Sequence, residues 1–99
     1  MEWLEPWNDV ADSISLTSEL AREVPAKHIL FGVPVRAIAR RIDCDDVLFE
    51  LLDGTSRVAV VHLTCAIEND PQWPHTEMFR DREHFAITRM ASDHETFDA

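Results

Sequence analysis

The sequence predicts an α+β domain, a three-stranded antiparallel β-meander flanked by an N-terminal and a C-terminal helix. Two observations carry this. Apolar residues recur at helical spacing before Pro25 and after Asp81, and at a period near two between Val35 and Cys65. The Val35–Cys65 stretch is cut twice by short clusters of turn residues, Asp43–Asp46 and Asp53–Ser56. At 99 residues, 45% of them hydrophobic, the chain is long enough for one core and is read as one domain.

Residues 1–12 read as an arm, because Trp3, Leu4 and Trp7 are apolar but broken by Pro6. Residues 15–24 read as a helix. Leu16, Leu20, Ala21 and Val24 fall on one side and Glu19, Arg22 and Glu23 on the other, and Pro25 forces the preceding residue out of helical geometry. Pro25–Pro34 reads as a loop pinned by Ile29, Leu30 and Phe31. The meander spans 35–65, with strands Val35–Ile42, Val47–Leu52 and Arg57–Cys65, and Asp53-Gly54 supplies a hairpin signal. Residues 66–80 read as a loop. Residues 81–97 read as a helix with Asp81 as N-cap and Ala86, Met90, His94 and Phe97 on one stripe.

If four-residue turns set the register, Leu51 faces Val58, Phe49 faces Val60 and Val47 faces His62, with Ile38, Arg40 and Ile42 on the same side. Both helices are expected to pack on that face. The other face carries Leu48, Ala59, Val61 and Leu63, too apolar to stand open, so a homodimer or the tryptophan arm is expected to cover it. Arg40, placed among core residues, calls for a nearby carboxylate.

The balance of 19 acidic against 9 basic residues gives a formal charge of −10, which disfavours nucleic acid and anionic membranes and suits a basic partner. Cys44 and Cys65 are too few for a secreted disulfide framework. Glu2 and Glu5 stand where a secretory signal carries positive charge, and no apolar run approaches the ~20 residues a membrane span needs. A cytoplasmic protein is expected.

No nucleophile elbow or phosphate-cradling loop is present, and the chain has only 2 glycines. His62 and Cys65 are potential zinc ligands, but three residues apart on a strand they point to opposite faces, so no metal or other cofactor is expected. Asp43, Asp45 and Asp46 lack the rest of a calcium loop and read as turn residues. His28 and His84 read as exposed. The segment Trp73-Pro74-His75-Thr76-Glu77 puts an indole, an imidazole, a hydroxyl and a carboxylate in one loop. With Arg40 and His62, the residues Trp73, His75 and Glu77 are the candidate ligand-binding set; the alternative is a plugged core and capped backbone.

The succession His28-Ile29-Leu30-Phe31-Gly32, Val35-Arg36-Ala37-Ile38-Ala39-Arg40-Arg41, Asp45-Asp46-Val47-Leu48-Phe49, Val60-Val61-His62-Leu63-Thr64 and Trp73-Pro74 resembles a group of small bacterial proteins to which no activity is attached. That resemblance implies a bacterial origin and transfers no site residues. The expected function is that of a small acidic accessory protein, not an enzyme, which binds another protein as a regulator or toxin-neutralising factor. The alternative is a small-molecule binding protein or minor hydrolase with a pocket near the Trp73–Glu77 loop.

Overall fold

In the computed structural model, which describes residues 2–64, 70 and 72–97, the sheet has five antiparallel strands, not three. They are β1 (Trp7–Asp9), β2 (Val35–Arg41), β3 (Asp46–Leu51), β4 (Val58–His62) and β5 (Thr76–Phe79), in the spatial order β1-β2-β3-β4-β5. The meander is therefore right and two edge strands are added. Trp7–Asp9 leaves the arm to pair with Ala39–Arg41, and Thr76–Phe79 leaves the presumed loop to pair with Val58–Val61. Both are three to four residues long, too short for a period-two pattern to register.

Helix α1 (Ser13–Glu23) starts two residues earlier than its apolar pattern, because the Asp12 side chain caps it by accepting from the Ser15 N–H at 2.9 Å. It ends where Val24 turns extended before Pro25. The C-terminal helix is continuous in three parts: α2 (Arg82–Phe85), a π-helical stretch (Ala86–Met90) and α3 (Ala91–Phe97). Asp81 caps it as its residue type predicts, accepting from the His84 N–H at 2.8 Å. Cys65 and the rest of the 65–69 stretch lie outside the described residues, as do 1, 71, 98 and 99.

The register of the β3–β4 hairpin is one residue away from the expected one. Glu50 faces Val58, Leu48 faces Val60, Val47 faces Val61 and Asp46 faces His62. The cause is local. Leu52 leaves the strand, Gly54 and Ser56 adopt positive φ, and the Leu51 N–H bonds to the Arg57 carbonyl, so the connection runs 52–56 instead of 53–56. Because side chains alternate along a strand, that single residue exchanges the faces of β4. A second irregularity between Ala37 and Ala39 takes Ile38 out of register, so small Ala37 and Ala39 enter the cores and Arg40 and Ile42 are exposed.

Each face therefore has its own core, and the two helices pack on opposite faces instead of one. On the α1 face, Leu20 and Leu30 pack on Ala37, Val47, Phe49, Leu51, Ala59, Val61 and Leu63. On the other, Phe85 and Met90 of the C-terminal helix and Trp7 of β1 pack on Ala39, Leu48, Val58, Val60 and Phe79. Trp7 and Phe79 each meet Phe85 edge to face, with ring centroids 5.1 and 5.5 Å apart. The residues expected on a second, open apolar face are thus divided between two cores covered within the chain: Leu48 lies under the C-terminal helix and Trp7, whereas Ala59, Val61 and Leu63 lie under α1 and Leu30.

Candidate functional site

Polar side chains collect where the C-terminal helix crosses the ends of β2, β3 and β4. Asp46 opens β3 opposite His62, so both point to the C-terminal helix, and His62 Nδ1 bonds to Asp46 Oδ1 at 2.8 Å. Arg89 Nη2 donates to the other Asp46 oxygen at 2.7 Å, and Arg89 Nε donates to Asp93 Oδ2 at 2.8 Å. That Asp93 oxygen also accepts the Trp7 indole N–H at 3.0 Å and lies 3.3 Å from Arg41 Nη1. Arg41 pairs in turn with Asp43 at 2.8 Å.

Burial opposes ionisation of Asp46, but hydrogen bonds from His62 and Arg89 outweigh it, holding the carboxyl below its ordinary pKa. For Arg89, the Asp93 and Asp46 carboxylates outweigh the cost of burial and push the guanidinium above its usual value. With acid and base matched along its length, the chain of pairs ties helix to sheet. The His62 side chain is half exposed and its imidazole is oriented by a carboxylate on Nδ1, an arrangement suited to taking a proton from a bound group.

The five residues singled out from the sequence are divided by the sheet. Arg40 lies opposite Val47 and so on the α1 face, where it is exposed beside a cleft formed with Arg41–Asp45. His62 and Glu77 lie on the other face. Glu77 sits opposite Val60, with its carboxylate 3.7 Å from Arg89 Nη1, so both it and His62 reach the Asp46–Arg89 group. His75 is exposed, accepts the His62 N–H through its carbonyl at 3.0 Å, and has its ring 6.3 Å from that of Trp73. Trp73 stands exposed and does not plug the core. Asp46, Arg89 and Asp93 escaped the sequence reading because Asp46 passed for a turn residue; an acid one position earlier than expected opposite His62 was the available signal.

His28, read as exposed, is buried. Its Nδ1 accepts from the Leu30 N–H at 3.0 Å, which leaves the proton on Nε2 to donate to the Pro74 carbonyl at 2.9 Å. That pins the segment between α1 and β2, which turns three times through the bonds His28 to Pro25, Phe31 to His28 and Val33 to Leu30. An apolar cleft of about 390 Å³ opens between this segment and α1, among Leu20, Val24, Leu30, Phe31 and Val35. A second, of about 400 Å³, lies among Ile14, Thr17, Val35 and Leu52. Thr17 and Val35 line both, so the two clefts adjoin along α1 as one grooved apolar strip. Its rim exposes Ile14 by 81%, Phe31 by 54% and Leu52 by 52%.

Among the described residues no group of three or more His, Cys, Asp or Glu side chains is placed to hold a metal ion, and no helix is long and apolar enough to cross a membrane. No family model, curated protein or solved structure matches the chain.

Proposed function

We propose that this is a small acidic accessory protein of the bacterial cytoplasm that acts by binding another protein, as a regulator or as the neutraliser of a basic toxin. The observation that carries the reading is the apolar groove between α1 and the 28–35 segment. Three large side chains exposed on the rims of two adjoining apolar clefts resemble the centre of a docking surface. The formal charge of −10 sets the chemistry of the partner, which offers apolar side chains to the groove and basic ones around it. A homodimer is the self-binding version of the same idea. Its interface is the groove, since the residues that first called for a second subunit are covered within the chain, Leu48 by Phe85, Met90 and Trp7, and Ala59, Val61 and Leu63 in the α1 core.

The test is affinity capture from the native host at several salt concentrations, with the wild type beside Phe31→Asp and Leu52→Asp. The reading predicts a partner that can be identified and re-bound as a purified protein, and that both variants lose. Recovery of the bait alone, with a light-scattering mass of one chain, sinks it.

A second reading is favoured by the Asp46-oriented imidazole: a small-molecule binding protein or minor hydrolase using His62, His75 and Glu77 beside Trp73, without Arg40, which lies on the opposite face of the sheet. It requires ester or amide turnover, or ligand binding, that His62→Gln abolishes while the fold persists. Equal activity in the variant and wild type excludes it.

A further inference from the structure

A separate cleft lies where β1 stops short. Its last pair, Asp9 with Ala39, leaves the outer edge of β2 from Arg36 to Ile38 without a strand neighbour. There a cleft of about 350 Å³ opens among Trp3, Asp9, Ser13, Arg36, Ile38 and Arg82, within the size range of small-ligand sites.

Its two arginines are paired differently from the others among the described residues. Arg36 Nη2 and Arg82 Nη2 both lie on one oxygen of Glu50, Oε2, at 2.7 and 3.1 Å. Each of the other ion-paired arginines holds an acid of its own: Arg22 has Glu19, Arg41 has Asp43, Arg57 has Asp53, Arg80 has Asp81 and Arg89 has Asp46. Among the described residues these two guanidiniums share one carboxylate, and the Asp9 carboxylate that also lines the cleft brings its formal charge to zero, so the cleft is near neutral in a chain of −10. Each guanidinium has five N–H donors. Their side chains are 57% and 40% exposed, so donors remain available from the cleft. Trp3 supplies an apolar wall, held in place by its indole N–H donating to Asp9 Oδ1 at 2.5 Å. Ser13 Oγ is already spent on the Ala37 carbonyl at 2.8 Å.

We propose that this cleft binds a monocarboxylate with an apolar body, its carboxylate bridging Arg36 and Arg82 and its body against Trp3 and Ile38. A carboxylate fits the fork of a guanidinium. With Asp9 and Glu50 close by, the two guanidiniums carry no excess charge, which disfavours a dianion such as inorganic phosphate more than a monoanion. Both a free acid and the C-terminal residue of a polypeptide present this chemistry, and Arg36 and Ser13 also line the apolar groove, so a chain end lying there has its carboxylate within reach. The carboxylate site does not depend on the groove having a partner.

The experiment is an NMR titration of the full chain, following the Trp3 indole and the Arg36 and Arg82 Nε–H signals. Benzoate, benzylamine, inorganic phosphate, and acetyl-Gly-Phe as acid and as amide are the probes. Benzoate is expected to move all three signals, and benzylamine and phosphate none. Arg82→Gln and Arg36→Gln are each expected to weaken benzoate about tenfold, the loss of a charged hydrogen bond. Glu50→Gln removes the competing carboxylate and is expected to tighten binding severalfold. A structural role for the cluster predicts the reverse, since losing Glu50 then only loosens the site. The peptide acid binding more tightly than benzoate, with the amide silent, assigns the site to a chain end; benzoate binding as tightly as the peptide assigns it to a free acid. Benzoate leaving the three signals unmoved, benzylamine or phosphate binding as well, or Glu50→Gln weakening binding overturns the proposal.

Discussion

The two faces of the sheet are closed by different chemistry. On the face of the C-terminal helix, Trp7, Phe79 and Phe85 interlock edge to face, and a belt of paired charges from Arg41 through Asp93, Arg89 and Asp46 to His62 seals the rim. On the α1 face the core is aliphatic, and helix α1 is held at β2 by the Ser13 and Thr17 hydroxyls on the Ala37 backbone, at 2.8 and 3.3 Å. The buried Glu23 carboxylate fastens its far end, accepting from the Thr64 N–H and hydroxyl at 2.7 and 2.9 Å. Between those points the groove stays open. Directional bonds ring the core on the first face, whereas on the second they hold α1 at its first turns and at its last residue and leave apolar surface exposed beside it.

The largest expected effect breaks the aromatic side. Phe85→Ala removes the ring that joins Trp7 to Phe79 from a fully buried site and is expected to cost about 3–5 kcal/mol in urea denaturation. A smaller cost, close to that of an aliphatic truncation such as Leu30→Ala at about 2–4 kcal/mol, means the two faces contribute alike.

Next comes the charged belt. Asp46→Asn weakens the acceptor for Arg89 and His62 and is expected to cost about 1.5–3 kcal/mol at neutral pH. The same contact fixes a pH dependence. The folded-state pKa of Asp46 is lowered, so its stabilisation is present above the unfolded value, near pH 4, and is lost as pH falls through the folded one. The stability gap between wild type and Asp46→Asn should therefore narrow as pH drops below about 4. A gap that stays constant into acid shows that the carboxylate charge is not what Asn lacks.

How far each face could be read from the sequence follows the same division. The strands of the meander are legible because runs rich in Val, Ile, Leu and Phe are bounded by turn clusters, and α1 because its apolar stripe spans Leu16 to Val24. Register is not. It hangs on whether Leu52 belongs to β3 or to the turn, and side-chain pattern is nearly blind to that, since both faces of β3 are apolar. Once β4 shifts by one, Val61 and Leu63 move to the α1 core, and His62 meets Asp46 instead of Val47. Of the candidate residues, Arg40 was placed among core residues by that register and by the unseen irregularity at Ile38; it stands exposed on the α1 face. Charged pairs such as Arg89 with Asp46 join residues 43 apart and leave no local periodicity to read.

The smallest expected effect sharpens the contrast from the open side. Phe31 is as large as Phe85, yet it is more than half exposed on the groove rim. Phe31→Ser should lower unfolding free energy by only about 1 kcal/mol, well below Phe85→Ala, because roughly half of its side chain stays in water when the chain folds alone. The same substitution should matter once a partner is bound, where a buried aromatic anchor typically contributes about 2 kcal/mol or more. A loss of stability near that of Phe85→Ala in the isolated chain would mean that Phe31 belongs to the core and that the groove is closed in solution, leaving the α1 face sealed like the other.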